Sequence, residues 1–293
     1  MLTAYLQLGS SMALVGLNVA VAKLLAGALP IALIVLLRCL LACLVLWPLA
    51  RLREGGAIPS GAVLRNLALQ AALGTLLYNA ALLTGLRHTS ALEAGLVLAT
   101  LPAVIALGSA LWLRERLPPR QWAAAGLAVG GMAAITLARL AGEGGGGGSL
   151  LGNALVFLGV CGEAAYVLLA KRIAGRVPVF TASLWMQLWS AALMLPFALP
   201  VLGGVAALAS AEVSALLVFH SLTASVLCLL LWYAGLQRAP AGVAGIFTVF
   251  LPATAALVAV ALLGEHFSPM HGAGLGLMLA SIGLATWPGR RRA

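Results

Sequence analysis

Residues 95–119 read GLVLATLPAVIALGSALWLRERLPP, and residues 245–269 read GIFTVFLPATAALVAVALLGEHFSP. At a constant offset of 150 residues, Gly95 meets Gly245, Leu101-Pro102-Ala103 meets Leu251-Pro252-Ala253, Glu115 meets Glu265 and Pro119 meets Pro269. The match extends outward to Gly85 with Gly235, Gly126 with Gly276 and Thr136 with Thr286. Near the start of each copy the offset is 148, pairing Ala22-Lys23 with Ala170-Lys171, Gly27 with Gly175 and Pro30 with Pro178. One two-residue gap reconciles the two offsets. Chance likeness between Leu/Ala/Gly-rich segments does not hold Pro, Gly and Glu in register over this length. The chain is two copies of one unit.

The composition says where that unit lives. Of 293 residues, 63% are hydrophobic and 8% charged, and mean hydropathy is +1.10. A soluble domain carries about 25% charged residues, so a soluble globular class is excluded. A bilayer-spanning helix needs about 20 apolar residues. Runs of that kind fall at 3–25, 31–50, 61–86, 89–113, 120–139, 150–171, 179–201, 211–236, 241–263 and 269–288. The predicted fold is all-α, a polytopic membrane protein with ten transmembrane helices. The first run lacks a basic stretch before it and is too long for a cleavable signal, so it reads as the first span.

Five spans per copy is an odd number, so the second copy enters the membrane the opposite way round. The prediction is two inverted five-helix repeats around a central cavity, a plan of secondary transporters. Residues 1–141 form the first repeat, 142–149 a Gly-rich linker and 150–293 the second repeat. The linker follows a flexible composition; a phosphate-binding loop needs a Lys-Ser/Thr pair that it lacks.

Charge sets the orientation. With the N-terminus inside, Arg51, Arg53, Arg65, Arg114, Arg116, Arg120, Lys171, Arg172, Arg176, Arg238, Arg290, Arg291 and Arg292 fall inside, against Lys23, Arg87 and Arg139 outside. Basic loops stay cytoplasmic, so both termini are predicted cytoplasmic, in the cell inner membrane. Arg114-Glu115-Arg116 becomes Gly264-Glu265-His266 where the second copy's loop faces out. The net charge of +10 therefore has a topological origin, and no nucleic-acid partner is expected.

Chemistry-bearing residues are few. Asp is absent and all seven acidic residues are Glu. Cys39, Cys43, Cys161 and Cys228 lie within apolar runs as small filler, and no His completes a metal site. No metal and no cofactor are expected. A catalytic set such as paired carboxylates or HExxH is missing, so an intramembrane enzyme is the weaker alternative and the chain reads as no enzyme.

Polar residues inside spans are costly, at least ~2.5–3.5 kcal/mol for a charge on insertion scales, and so mark function. Glu163 sits mid-span and reads as a substrate-ammonium or proton site; a Glu hydrogen-bonded between helices is the structural reading. Asn18 and its repeat mate Tyr166, with Tyr78, Asn79, Trp232 and Tyr233, form a polar-aromatic set suited to an amphipathic solute. Trp185, Trp112 and Trp287 read as packing or interface belt. Arg38 and Glu93 both fall toward the outer side and can pair as a gate, or Arg38 can snorkel. Pro102 and Pro252 are predicted to kink their spans, as hinge or as bend. Gly126 and Gly130, with Gly272 and Gly276, have small-xxx-small spacing, for packing within the chain or in a homodimer.

The tandem units, Pro102 and Pro252, Glu115 and Glu265 ending the same spans, and Arg38 in the second span together resemble the EamA-type drug/metabolite transporter superfamily. The resemblance covers essentially the whole chain. Within that group the chain is most similar to the branch exporting aromatic and other amino acids. It implies an exporter of small metabolites working by alternating access in the lipid bilayer, with amino acids as leading substrate class. Drugs, sugars and nucleosides are the other substrates the family implies. Export direction comes from the resemblance alone.

Overall fold

The computed structural model describes residues 1–85, 87–89, 94, 97–140, 149–263 and 269–287. Helices follow one another along the chain: α1 (Leu2–Ala28), α2 (Ile31–Glu54), α3 (Gly61–Gly85), α4 (Leu101–Trp112), α5 (Pro119–Leu140), α6 (Leu150–Ile173), α7 (Val179–Ala198), α8 (Ala211–Leu236), α9 (Ala241–Phe247), α10 (Phe250–Leu263) and α11 (Pro269–Thr286). A 3-10 stretch, Leu199–Ala209, extends α7. Among the described residues there is no strand. Among the described residues, six helices are long and apolar enough to cross a bilayer: α1, α2, α3, α6, α7 with its extension, and α8. The linker, apart from Ser149, lies outside the described residues, as do Glu93 and Glu265.

The helix ends follow local chemistry. Pro30, Pro178 and Pro240 stand at the N-caps of α2, α7 and α9, where a missing N–H costs nothing. Ser149 and Ser210 accept from Gly152 N and Val213 N to cap α6 and α8, satisfying donors that the first turn leaves open. Gly55 ends α2 with φ 74, a left-handed conformation that glycine adopts without a Cβ clash. Arg51 and Arg53 lie in that last turn, the favourable side of the helix dipole.

The perimeter is apolar. Leu44, Leu111 and Leu279 are 71%, 72% and 65% exposed. Leaving each in water forgoes about 1.5–3 kcal/mol of burial; facing lipid costs nothing of the kind. The helices pack across the two copies. α2 lies on α7, α4 on α9, α5 on α11, α1 on α8 and α3 on α6. α1 also meets α10, and α6 meets α4. Exchanging the copies, first span for sixth, second for seventh and so on, leaves this list unchanged.

Backbone irregularities obey the same exchange. α3 carries a π-helical segment at Ala72–Leu77 and α8 one at Ser221–Leu227. The ninth span, expected unbroken over 241–263, is interrupted at Thr248-Val249 between α9 and α10. In the fourth, expected over 89–113, a turn at Ala99-Thr100 precedes α4. Pro102 and Pro252 thus open new helices instead of kinking continuous ones. Two local causes act together. The prolines offer no N–H to the preceding turn. Thr100 and Thr248 donate their hydroxyls to Val97 O and Gly245 O at 2.6 and 2.7 Å, competing with helical bonding.

The small-residue spacing in α5 and α11 is also reassigned. A Cβ on Gly131 would lie 2.8 Å from Gly274 O, whereas Gly126 and Gly276 face open space. Ser281 Oγ donates to Ala124 O across the same contact at 2.7 Å. The close approach is within the chain, through Gly131 rather than the expected pair.

Candidate functional site: a charged cavity between the copies

Glu54, Ile173, Leu236 and the start of α1 mark one face of the molecule, here the near face; Ala28, Ile31 and Gly85 lie toward the far face. The centre of the near half is filled. Ala4, Leu8, Leu67, Ile105, Val167, Trp232, Tyr233, Leu236 and Phe247 belong to one buried cluster drawn from both copies. Tyr5 stacks on Phe247 with centroids 5.5 Å apart, and Phe247 stacks on Phe250 at 6.1 Å.

Four polar side chains in this half are matched on another helix, three of them across the copies. The Glu54 carboxylate accepts from Phe180 N at 3.0 Å, Thr181 N at 2.7 Å and Thr181 Oγ1 at 2.8 Å, capping α7. The Glu115 carboxylate accepts from Ala241 N at 3.1 Å and Gly242 N at 3.3 Å, capping α9, and from Ser109 Oγ. Lys171 Nζ donates to Leu236 O and Ala239 O at 2.8 and 2.7 Å. Tyr233 Oη donates to Gln70 Oε1 at 2.6 Å.

From the middle toward the far face the packing opens into a cavity of about 550 Å³. Its walls include Tyr78 and Asn79 of α3, Arg38 of α2 and Glu163 of α6. Both chain interruptions line it, through Leu98, Ala99 and Leu101 on one side and Thr248, Leu251 and Pro252 on the other. A smaller recess of about 170 Å³ shares Arg38, Gly74, Thr75 and Glu163 with it and ends on Tyr166 and Trp232. Gly74 and Thr75 belong to the π segment of α3. Irregular backbone at mid-bilayer is tolerated where it lines a cavity, and here each irregular segment does so or adjoins one that does.

Two opposite charges face this space. Arg38 Nη1 donates to Ser225 Oγ at 3.3 Å, whose own carbonyl accepts from Gln187 Nε2 at 2.6 Å. Glu163 makes no hydrogen bond or ion pair with a described residue, so Arg38 and Glu163 do not neutralise each other. Trp232 Nε1 is likewise buried without an acceptor among the described residues. A donor and a carboxylate without partners among the described residues, with a cation that has one neutral contact, fit a solute that carries the complementary groups.

The sequence-selected residues divide. Tyr78, Asn79, Glu163, Tyr166 and Trp232 line the cavity or its recess. Asn79 Nδ2 donates to Thr75 O at 2.6 Å. Tyr233 does not line it; its hydroxyl belongs to the near-face packing. Asn18 is 2% exposed; its Oδ1 meets His220 Nδ1 at 2.8 Å and accepts from Thr223 Oγ1 at 3.1 Å, joining α1 to α8. Arg38, expected beside Glu93 at a gate, is a cavity residue, and Glu93 lies outside the described residues. Thr75, Ser190, Ser225 and Thr248 escaped the sequence reading. Small hydroxyls within apolar runs carry little signal, though Thr75 and Ser225 share offset 150. Trp112 and Trp287 lie at the perimeter, 47% and 69% exposed.

The profile of the EamA-like transporter family matches residues 2–137 and again residues 150–287. The chain belongs to the EamA-like transporter family. It is a membrane transporter of small molecules, built from two EamA units. It is 32% identical over 282 residues to the uncharacterized transporter YetK of Bacillus subtilis (strain 168), a match covering 95% of this chain and 85% of that one. A solved structure titled only "Crystal structure of protein" shares the fold with TM-score 0.80 at 20% identity, covering 97% of this chain and 98% of that chain.

Proposed function

We propose that this EamA protein exports zwitterionic amino acids, aromatic ones included, across a bacterial inner membrane by alternating access. The observation that carries the reading is the pair of opposite charges, Arg38 and Glu163, on one cavity and not bonded to each other. A carboxylate suits the Arg38 guanidinium, which binds carboxylates in planar fashion. An ammonium suits Glu163, and the Tyr78, Tyr166 and Trp232 rings offer apolar surface and cation–π attraction. Glu163 is also the group placed to carry a coupling proton.

Ten spans in two inverted repeats with cytoplasmic termini complete the proposal. The exchange-symmetric packing and the thirteen basic residues on one side support it. The near face is then cytoplasmic, and the cavity belongs to an outward-facing state. Outward direction rests on the family resemblance.

The test is efflux from proteoliposomes loaded with labelled phenylalanine, beside matched loads of a sugar, a nucleoside and a cationic dye. Amino-acid efflux above empty vesicles, lost in Glu163→Gln and Arg38→Gln, is the expected result. Efflux of sugar, nucleoside or dye without amino-acid efflux would overturn the substrate class.

A further inference from the structure

A second cavity, of about 230 Å³, lies at the perimeter of the near face, apart from the central one. It is formed where α2 ends, where the 55–58 turn follows and where α7 begins. Trp47, Arg51, Ile58, Leu184 and Trp185 are its principal walls. Trp47 and Ile58 form an outer wall, 51% and 75% exposed, while Leu184 forms an inner wall, 6% exposed. The space therefore opens sideways, toward the medium that surrounds the bundle.

Its chemistry is ordered along the membrane normal. Trp47 lies one helical turn deeper than Arg51, and the Arg51 guanidinium sits 5.3 Å from the Trp47 ring centroid. No ion pair holds Arg51 among the described residues. The nearest carboxylate in sequence, Glu54, is committed to the start of α7 through three hydrogen bonds. Arg53 adds a second exposed cation in the same turn. The turn itself is shaped around the arginine: Gly56 has φ 66, and a Cβ there would lie 2.8 Å from Arg51 Cγ. A cation on the Trp47 ring, without an ion pair among the described residues, beside a crevice walled by Trp185 and Leu184 complements one amphipathic anion supplied by the bilayer.

We infer that this crevice is a binding site for an anionic phospholipid, with the phosphodiester on Arg51 and the glycerol region against Trp47, Trp185 and Leu184. The lipid's negative charge supplies the counter-ion that the described residues do not, and its acyl chains continue along the exposed face of α2. The proposal rests on the membrane setting and not on the identity of the transported solute.

The test is native mass spectrometry of the purified full chain in detergent, equilibrated with equal phosphatidylglycerol and phosphatidylcholine. Wild type retains phosphatidylglycerol preferentially. Arg51→Gln lowers that retention about fivefold, the effect of one basic contact at a membrane surface, while Arg53→Gln, whose residue does not line the crevice, lowers it less. Gly56→Leu, which pushes the Arg51 stem aside, follows Arg51→Gln. Equal retention of the two lipids by wild type, or equal losses in Arg51→Gln and Arg53→Gln, overturns the site. So does displacement of the lipid by millimolar inorganic phosphate, which would mark a site for free anions. If Arg51→Gln does not fold, the wild-type lipid comparison and Gly56→Leu decide the matter.

Discussion

Glu54, Glu115 and Lys171 in the near half and Arg38 and Glu163 at the central cavity are treated in opposite ways. In the near half, Glu54, Glu115, Lys171 and Tyr233 each find a partner on another helix, and three of the four contacts join one copy to the other. In the middle and far half, Arg38 has one neutral contact and Glu163 none among the described residues. A buried polar group left without a partner costs about 1–3 kcal/mol, more if charged. The near half avoids that cost at these four groups, while Gln7 Oε1, Arg120 Nε and Ser183 Oγ stay buried there without a partner among the described residues. The central cavity leaves it open among the described residues, where a solute can supply the partner. Sealing and binding are two uses of the same physical chemistry, separated by whether the sequence supplies the second group.

Removing an unpartnered charge should damage transport most. Glu163→Gln is expected to lower amino-acid transport at least ~10-fold, the scale of one charge-assisted hydrogen bond, with thermal unfolding in detergent unchanged. A large loss of stability with transport retained would return Glu163 to a structural role. Next comes Arg38→Gln. It should weaken binding of an amino acid about tenfold yet leave binding of the corresponding decarboxylated amine unaltered, as read by competition against a labelled substrate. Equal weakening of both ligands would break the assignment of Arg38 to the carboxylate.

The near-face contacts predict a different pattern. Glu115→Ala deletes the cap of α9 and a bond to Ser109, and should loosen the seal. A cysteine introduced at Ala244, which is fully buried, should then react several-fold faster with a maleimide, in keeping with the ~0.5–2 kcal/mol of a helix cap. Unchanged labelling would show that apolar packing alone holds this end shut. The smallest effect is expected for Tyr233→Phe. It leaves Gln70 Oε1 without its donor and should lower stability by about 1 kcal/mol, with substrate selectivity untouched. A change in selectivity would put Tyr233 back into the cavity.

Much of this architecture is readable from residue types and spacing. Apolar runs mark the helices, and Pro102 with Pro252, held 150 residues apart, mark equivalent points of the two copies. Glu163 is conspicuous because a charge within a span is rare. The readings that changed did so for geometric reasons. Trp232 and Tyr233 are adjacent in sequence, but successive helical residues point about 100° apart, so one ring reaches the recess and the other turns into the seal. The proline signature cannot distinguish a kink from a complete interruption; the hydroxyls of Thr100 and Thr248 decide that, through contacts made after folding. The π segments at 72–77 and 221–227 have no residue signature of their own. Arg38 has a charge that the sequence displays and a destination that only the packing of α2 against α7 and α8 determines.

The proposed cavity reads both charges of one solute. The most direct measurement is calorimetric binding of phenylalanine to the purified protein, compared with phenethylamine, which lacks the carboxylate, and phenylpropionate, which lacks the ammonium. Phenylalanine is expected to bind at least ~10-fold tighter than either single-charge analogue, since each loses one charged contact. Equal affinity for all three would contradict it, showing that the aromatic surface alone does the recognising and that Arg38 and Glu163 serve the fold.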